Sequence, residues 1–366
     1  MVSNNRTHTK RIAILIEQNV EDAEFQVPYT ALRKAGADVM VLGSRMNEQY
    51  KGKQGKVTVD PDGTTTEARP EDFDAVIIPG GMAPDRMRTN PKTVRFVQEA
   101  MAQDKLVAAV CHGPQVLIEG DLLRGKDATG FIAIRKDMQN AGANYIDEPL
   151  VVDGNLITSR RPGDLPIFTA TILTRLGLSI PDTTLPNESD RNAGWWKLGQ
   201  EWGGSTKSEI ADGINTAIAG ERYAFEAFNN YVDRVTSDEI RDCFREICSH
   251  KRHNIERLRE RLSILGETES FQAANSGALA TLKSWFQAER DDLTILRRAL
   301  GDLQTGVGDT YNLRNKFTDP ATTVIFDEME IEIAQDEQRV VNLYHHRVGI
   351  GKTRSPEPTT GAAVTA

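Results

Sequence analysis

The amino-acid sequence predicts two successive folds: an α/β domain built on a mostly parallel sheet covered on both faces, then an all-α four-helix bundle. Three observations lead there. Short apolar runs alternate with helical stretches up to about residue 180; residues 181–206 lose that periodicity; from Ser208 onward the pattern is helical alone. Strands alternating with helices are the signature of a parallel sheet, and a chain of 366 residues fits two domains at roughly 100–200 residues each.

Each element has its own signal. Arg11–Ile16 (RIAILI) is apolar without alternation, as in a strand buried on both faces. A helix follows from Asp22 to Lys34, with Gly36 where a helix end favours glycine. Strands are expected at Ala37–Leu42, at Ala75–Ile78, which ends abruptly in Pro79-Gly80-Gly81, and at Leu106–Val110. Asn90-Pro91 opens a helix, with Asn as the cap and Pro at the first helical position. Val151–Ile157 reads as a hairpin around Asp153-Gly154, and a last helix runs from Gly163 to Arg175 before Gly177. The first domain is therefore set at 10–180. The segment 181–206, with Pro181, Pro186, Trp195, Trp196, Trp202, Gly203 and Gly204, reads as a linker that packs through its tryptophans. The bundle occupies 207–349, with helices at Glu209–Val235, at Thr236–Leu265 behind a capping-box pattern and before Gly266, at Ala278–Leu300 and at Thr322–Arg347. The Ser/Pro/Thr/Ala-rich tail 350–366 is expected to be disordered.

Composition narrows the function classes. The net charge of −9, from 44 basic and 53 acidic residues, argues against broad nucleic-acid binding, which needs a basic footprint. No apolar run approaches the ~18 residues of a membrane helix, and Met1–His8 lacks the apolar core of a secretory signal. Three cysteines, Cys111, Cys243 and Cys248, are too sparse for a disulfide framework, so a reducing cytoplasm is expected.

One cysteine stands apart. Cys111 directly follows a strand and precedes His112-Gly113-Pro114 and a helical run from Gln115. A sharp strand-to-helix turn lifts its residue above the C-terminal edge of the sheet, where clefts of open parallel sheets lie. The helix start behind it is expected to favour the thiolate, the nucleophilic form. His112 can accept the thiol proton and return it to a leaving group. Gly80 and Gly81 leave the approach unblocked, and the N–H groups of Gly81 and His112 are candidate oxyanion donors. Cys243 and Cys248, inside a helix with no base in an obvious place, read as packing residues.

The segments IIPGGMAPDRMR (77–88), AVCHGPQVLI (109–118), LLRGKDATGF (122–131), IRKDMQNAGANYID (134–147) and VVDGNLITSRRPGDL (151–165) resemble the PfpI family of intracellular cysteine peptidases. That family lies in the class I glutamine amidotransferase-like superfamily, together with the parkinsonism-associated deglycases. The resemblance covers residues 10–179 in order and implies a flavodoxin-like, doubly wound parallel sheet. It implies that Cys111 is the nucleophile, that His112 is its adjacent histidine, and that Glu24, four residues before Pro28, is the carboxyl against the sulfur. It also implies that Asp85 faces the histidine of a neighbouring subunit, and so a homo-oligomer. Phe131 lies at the substrate side where family peptidases often carry tyrosine, which removes a hydrogen-bond donor; Ile132 replaces a proline. The implied substrates are peptide or amide bonds, or carbonyl adducts of glyoxal and methylglyoxal, with no cofactor. The alternatives are a redox-sensing or chaperone-like stress protein with Cys111 oxidised, and iron handling by the bundle.

The segment from 207 resembles the ferritin-like four-helix superfamily. Such a di-iron site needs a carboxylate from each of two helices and Glu-x-x-His from the other two. The candidates are Glu221 with Tyr223 near it, His250 and His253 at i, i+3, Glu289, and on the last helix Glu328, Glu330, Glu332, Asp336 and Glu337. Val340 stands where the second histidine is needed, and His345 and His346 come too late. Lys251 and Arg252 suggest a solvated face, so the bundle is expected to serve packing, assembly or docking, with no metal.

Overall fold

The computed structural model describes residues 9–190, 193–270 and 291–349. Contacts divide the chain into two compact units, residues 1–210 with 313–324, and residues 211–312 with 325–366.

The first unit begins β1 (Arg11–Leu15), α1 (Asp22–Lys34), β2 (Asp38–Gly43), then short strands β3 (Tyr50–Lys51), β4 (Thr58–Val59) and β5 (Gly63–Thr64). It continues β6 (Ala75–Ile78), α2 (Ala83–Met87), α3 (Pro91–Ala102), β7 (Leu106–Val110), α4 (Pro114–Glu119), β8 (Asp127–Ala128), α5 (Arg135–Asn140) and β9 (Asn144–Tyr145). It ends with β10 (Leu150–Asp153), β11 (Leu156–Ser159), α6 (Leu165–Arg175) and α7 (Trp195–Glu201). Seven strands form one sheet in the order β10-β11-β7-β6-β1-β2-β5. All its pairs are parallel except the β10–β11 hairpin. After β1 the chain builds outward through β2 and β5, then returns to place β6 on the other side of β1. That reversal opens a crevice at the C-terminal ends of β1 and β6.

The strand cores are fully apolar. β6 (AVII) is buried at every position and β1 and β7 at all but the first, which is why their sequences run apolar instead of alternating. The Asn90 side chain accepts from Lys92 N at 3.0 Å and caps α3, with Pro91 at the first helical position. Asp153 pairs with Leu156, so the hairpin turn is Gly154-Asn155. A 3-10 turn at Pro162–Asp164 delays α6 to Leu165. In the segment 181–206, Trp195 and Trp202 are completely buried in the first unit's core.

The helical part consists, among the described residues, of α8 (Lys207–Val232), α9 (Asp238–Ile264), α10 (Asp292–Arg314) and α11 (Pro320–Val348). The expected third helix, 278–300, is corrected at its end: α10 runs on to Arg314, while 278–290 lies outside the described residues. Gly301, Gly306 and Gly308 weaken the helical signal, but packing of Ile295, Leu296, Ala299 and Leu303 overrides propensity. The expected capping box does not form. Ser237 makes no side-chain cap bond; the Asp292 carboxylate accepts from Thr236 N, Thr236 Oγ1 and Ser237 N at 2.7, 3.0 and 3.2 Å. In the second unit's core, Phe228 meets Phe244 edge-on at 5.4 Å and Tyr231 at 5.5 Å. The tail 350–366 lies outside the described residues.

Candidate active site

β7 delivers Cys111 onto a tight turn with φ +60°, a left-handed conformation that costs a non-glycine residue on the order of 1–3 kcal/mol. The surroundings hold it there. Cys111 N donates to Ser159 O on β11 at 3.0 Å, Gly113 N to Val110 O at 2.7 Å, and Phe131 N to Cys111 O at 2.9 Å. The sulfur lies 3.3 Å from His112 Nδ1, and the residue keeps only 7% of its surface exposed.

The carboxyl of Glu24 arrives from α1. Pro28, four residues on, has no N–H to give the Glu24 carbonyl. Glu24 is 0% exposed; Oε2 accepts from Gly80 N at 2.7 Å, and the buried carboxyl also hydrogen-bonds the Cys111 side chain. Gly80 explains how the groups come so close. A Cβ there would sit 2.6 Å from Glu24 Oε2, 2.7 Å from Cys111 Cβ and 2.8 Å from His112 N. Gly81, with φ +74°, turns its N–H toward the sulfur.

Burial, then the charge of Glu21, pushes the Glu24 carboxyl up to about 8, so it holds its proton at neutral pH. Burial, then the Glu24 charge, pushes the Cys111 thiol well above its ordinary range; the Gly81 N–H opposes this. The expectation that a helix start stabilises the thiolate is corrected here: α4 has only six residues, and desolvation of the sulfur outweighs it. Burial, then the Lys53 ammonium, lowers the His112 imidazole, and Asp85 opposes them. The resting pair is thus a thiol beside a neutral imidazole.

The structure brings together Glu24, Gly80, Gly81, Cys111, His112 and Phe131. The Phe131 ring lies 5.0 Å from the imidazole at 31°. Asp85 is exposed on α2 and bears on His112 of its own chain through charge, with no hydrogen bond to it among the described residues. Sequence reasoning missed three members. Glu21 is buried and ion-paired with Lys53. Asp22 accepts from Gln54 N at 2.7 Å and Val57 N at 2.8 Å, which pins the loop carrying Lys53. The run Glu21-Asp22-Ala23-Glu24 was the available signal, since three acids beside an apolar strand need partners. Lys53 carries no local signal, because it reaches the site through a loop. A cavity of about 320 Å³ toward Ser44, Arg45 and Arg86 includes none of these reactive groups.

The metal candidates of the bundle meet other fates. Glu221 pairs with Lys251 Nζ at 3.0 Å. His250 Nδ1 lies 3.0 Å from Asp336 Oδ2, and His253, the expected partner of His250, is exposed. Glu337 accepts from Gln304 Nε2 at 3.0 Å and Glu328 pairs with Arg257. Glu330 and Glu332 are half-buried; Tyr223, His345 and His346 are exposed; Glu289 lies outside the described residues. The reading of Lys251 as a solvated residue is overturned: it is buried because it neutralises a buried carboxylate. Among the described residues, no three His, Cys, Asp or Glu side chains are gathered as a metal requires.

Comparison with known proteins agrees with both folds. The DJ-1/PfpI family model matches residues 10–175. A crystal structure of a two-domain protein from Anabaena variabilis, containing DJ-1/ThiJ/PfpI-like and ferritin-like domains, is 57% identical with a TM-score of 0.86. The match covers 97% of this chain and 100% of that one. An uncharacterised Staphylococcus aureus protein is 43% identical over 171 residues, 46% of this chain and 99% of its own. YraA of Bacillus subtilis, provisionally named a cysteine protease, is 44% identical over 161 residues, 44% of this chain and 94% of its own.

Proposed function

We propose a cysteine-hydrolase function for this chain, which belongs to the DJ-1/PfpI family through residues 10–175 and carries a ferritin-like helical domain behind them. The observation that carries the reading is the strained Cys111 turn, with the sulfur 3.3 Å from a neutral imidazole and a protonated carboxyl buried beside it. The raised thiol means that the nucleophile is generated during attack and not stored. As the sulfur approaches an electrophilic carbonyl carbon, His112 Nδ1 takes its proton and the carbon–oxygen π pair moves onto oxygen. The Gly81 and His112 N–H groups are the donors for that oxyanion. The imidazolium then protonates the leaving amine, and water releases the acyl group from sulfur by the reverse sequence. Phe131 packs beside the imidazole and offers the substrate an apolar face. The substrate is a peptide or amide, or a dicarbonyl adduct, since both begin with sulfur attacking carbon. Asp85, exposed on α2, is the acid that a neighbouring copy would present to His112 in a homo-oligomer. A reducing, cytoplasmic setting is in keeping with three unpaired cysteines and with no described helix being long and apolar enough to cross a membrane.

A second reading has its own support. The protonated Glu24 carboxyl could donate to an oxygen added to the sulfur, favouring oxidation of Cys111 by peroxide to the sulfenic acid with release of water. One comparison separates the two. Cys111→Ala is expected to lose at least about 10³-fold in peptidase, deglycation or glyoxal-consuming activity. Unchanged activity in all three overturns the hydrolase. If all three activities are absent from the wild type as well, oxygen addition at Cys111 under mild peroxide, read by intact mass, supports the redox reading.

A further inference from the structure

The ferritin-like fold implies a metal centre between its helices, and the described residues do not fit one. At the middle of α9, the side chain that turns inward is a lysine. Lys251 is 2% exposed, and its ammonium lies 3.0 Å from Oε1 of Glu221, itself 6% exposed, on α8. Asn254, one turn along α9 and 0% exposed, donates from the same Nδ2 to Glu221 Oε2 at 3.2 Å and to Glu332 Oε2 on α11 at 2.8 Å. Its Oδ1 is buried without a hydrogen-bond partner among the described residues. Asp336, one turn beyond Glu332 and fully buried, is taken by His250 and lies in the field of Lys251. Three helices are thus joined through Glu221, Asn254 and Glu332, and the cation that pairs with this group at Glu221 belongs to the chain.

We propose that the Lys251 ammonium is the resident cation of the helical domain. It pairs with Glu221 in a cage that Asn254 ties to Glu332, and this cage takes a divalent metal only when the lysine is removed. A buried carboxylate needs a positive partner, and Glu221 is already satisfied at hydrogen-bond distance. Removing Lys251 leaves two carboxylates bridged by the Asn254 amide, which by rotating would present its unpartnered Oδ1 in place of Nδ2. Such an all-oxygen set suits a hard divalent cation completed by water. The bundle is then independent of metal, and the neutralising charge cannot be lost to a chelator.

The test is thermal melting and metal analysis of the full chain with and without excess Mn²⁺. Wild type is expected to melt at the same temperature in chelator and in Mn²⁺, and to retain no metal after desalting. Lys251→Ala is expected to melt roughly 10 °C lower in chelator, to recover most of that in Mn²⁺, and to retain about one Mn²⁺ per chain. If Lys251→Ala folds only when expressed with Mn²⁺, that counts the same way; failure to fold in either condition overturns the proposal. A Mn²⁺-dependent rise in the wild type overturns it, as does a Lys251→Ala protein indifferent to Mn²⁺. The Glu221→Gln/Lys251→Met double variant, which removes both charges, is expected to fold without responding to Mn²⁺. A response there would place the ion elsewhere and overturn the cage.

Discussion

Glu24 and Glu221 are both buried carboxyls, and the two domains answer the cost of burying them in opposite ways. Glu24 has a backbone N–H on one oxygen and the Cys111 side chain for its other neighbour, with no cation bonded to it, and it keeps its proton up to about 8. Glu221 has an ammonium at 3.0 Å and an amide at 3.2 Å. An ionisable group buried without a counter-charge becomes a proton carrier; one buried against a fixed counter-charge becomes part of the scaffold. The first kind lies beside a cysteine at a sheet's switch point, and the second lies between packed helices. The difference favours the α/β domain as the candidate seat of chemistry more securely than the residue types alone, since both regions are rich in acids and four of the six histidines lie in the bundle.

Replacing each carboxyl by its amide sharpens the comparison, because the two changes should have opposite signs. Glu221→Gln leaves the Lys251 ammonium buried with no ionic partner at Glu221, and is expected to destabilise the protein by about 3–5 kcal/mol in urea unfolding. Glu24→Gln should stabilise it, in a pH-dependent way. The unfolded chain releases this proton near the ordinary 4.5, whereas the folded protein holds it to about 8. Between those values the unfolded state binds fewer protons, so wild-type stability falls as pH rises, by at most about 1.4 kcal/mol per unit. The advantage of Gln is therefore absent below 4.5, grows through neutral pH and levels off above about 8. A Glu24→Gln protein no more stable than wild type at pH 9 would break the comparison. Peptidase or carbonyl activity in this variant should fall about 10- to 100-fold, since the sulfur loses an ionisable neighbour.

What the sequence disclosed follows from how far each signal reaches. The strand at 106–110, the turn at Cys111 and the cap at Asn90 are written in adjacent residues, and the structure carries all three. Glu24 was found only through resemblance to a family, since nothing local aims an acid in α1 at a sulfur 87 positions away. Lys53 was missed for the same reason, because Asp22 holds its loop through bonds that no periodicity encodes. In the bundle the histidines drew attention by their chemistry, yet the face of α9 that turns inward carries Lys251, Asn254, Ile255 and Leu258. Read as a 3.6-residue stripe, that face includes a lysine among apolar positions, and a lysine there calls for a buried counter-charge, which Glu221 supplies.

The smallest effect tests how independent the α/β site is of its own counter-charge. Lys53 is half-exposed and pairs with Glu21, and its charge lowers both Glu24 and His112. Lys53→Gln removes that charge, but Glu21, already raised by burial, then takes up a proton more readily and loses its own. The two losses act differently on His112 and Glu24. His112 feels Lys53, with no counterpart from Glu21, so its imidazole should rise, and less at high salt. Glu24 is raised by Glu21 more than it is lowered by Lys53, so losing both should leave it unchanged or slightly lower. An NMR titration of the His112 ring reads the first effect without any substrate, and the alkaline limb of a pH–rate profile reads the second. Movement of both groups upward together would mean that Glu21 stays ionised without Lys53. The α/β site would then tolerate a buried, unpaired carboxylate, which the contrast between Glu24 and Glu221 says it does not.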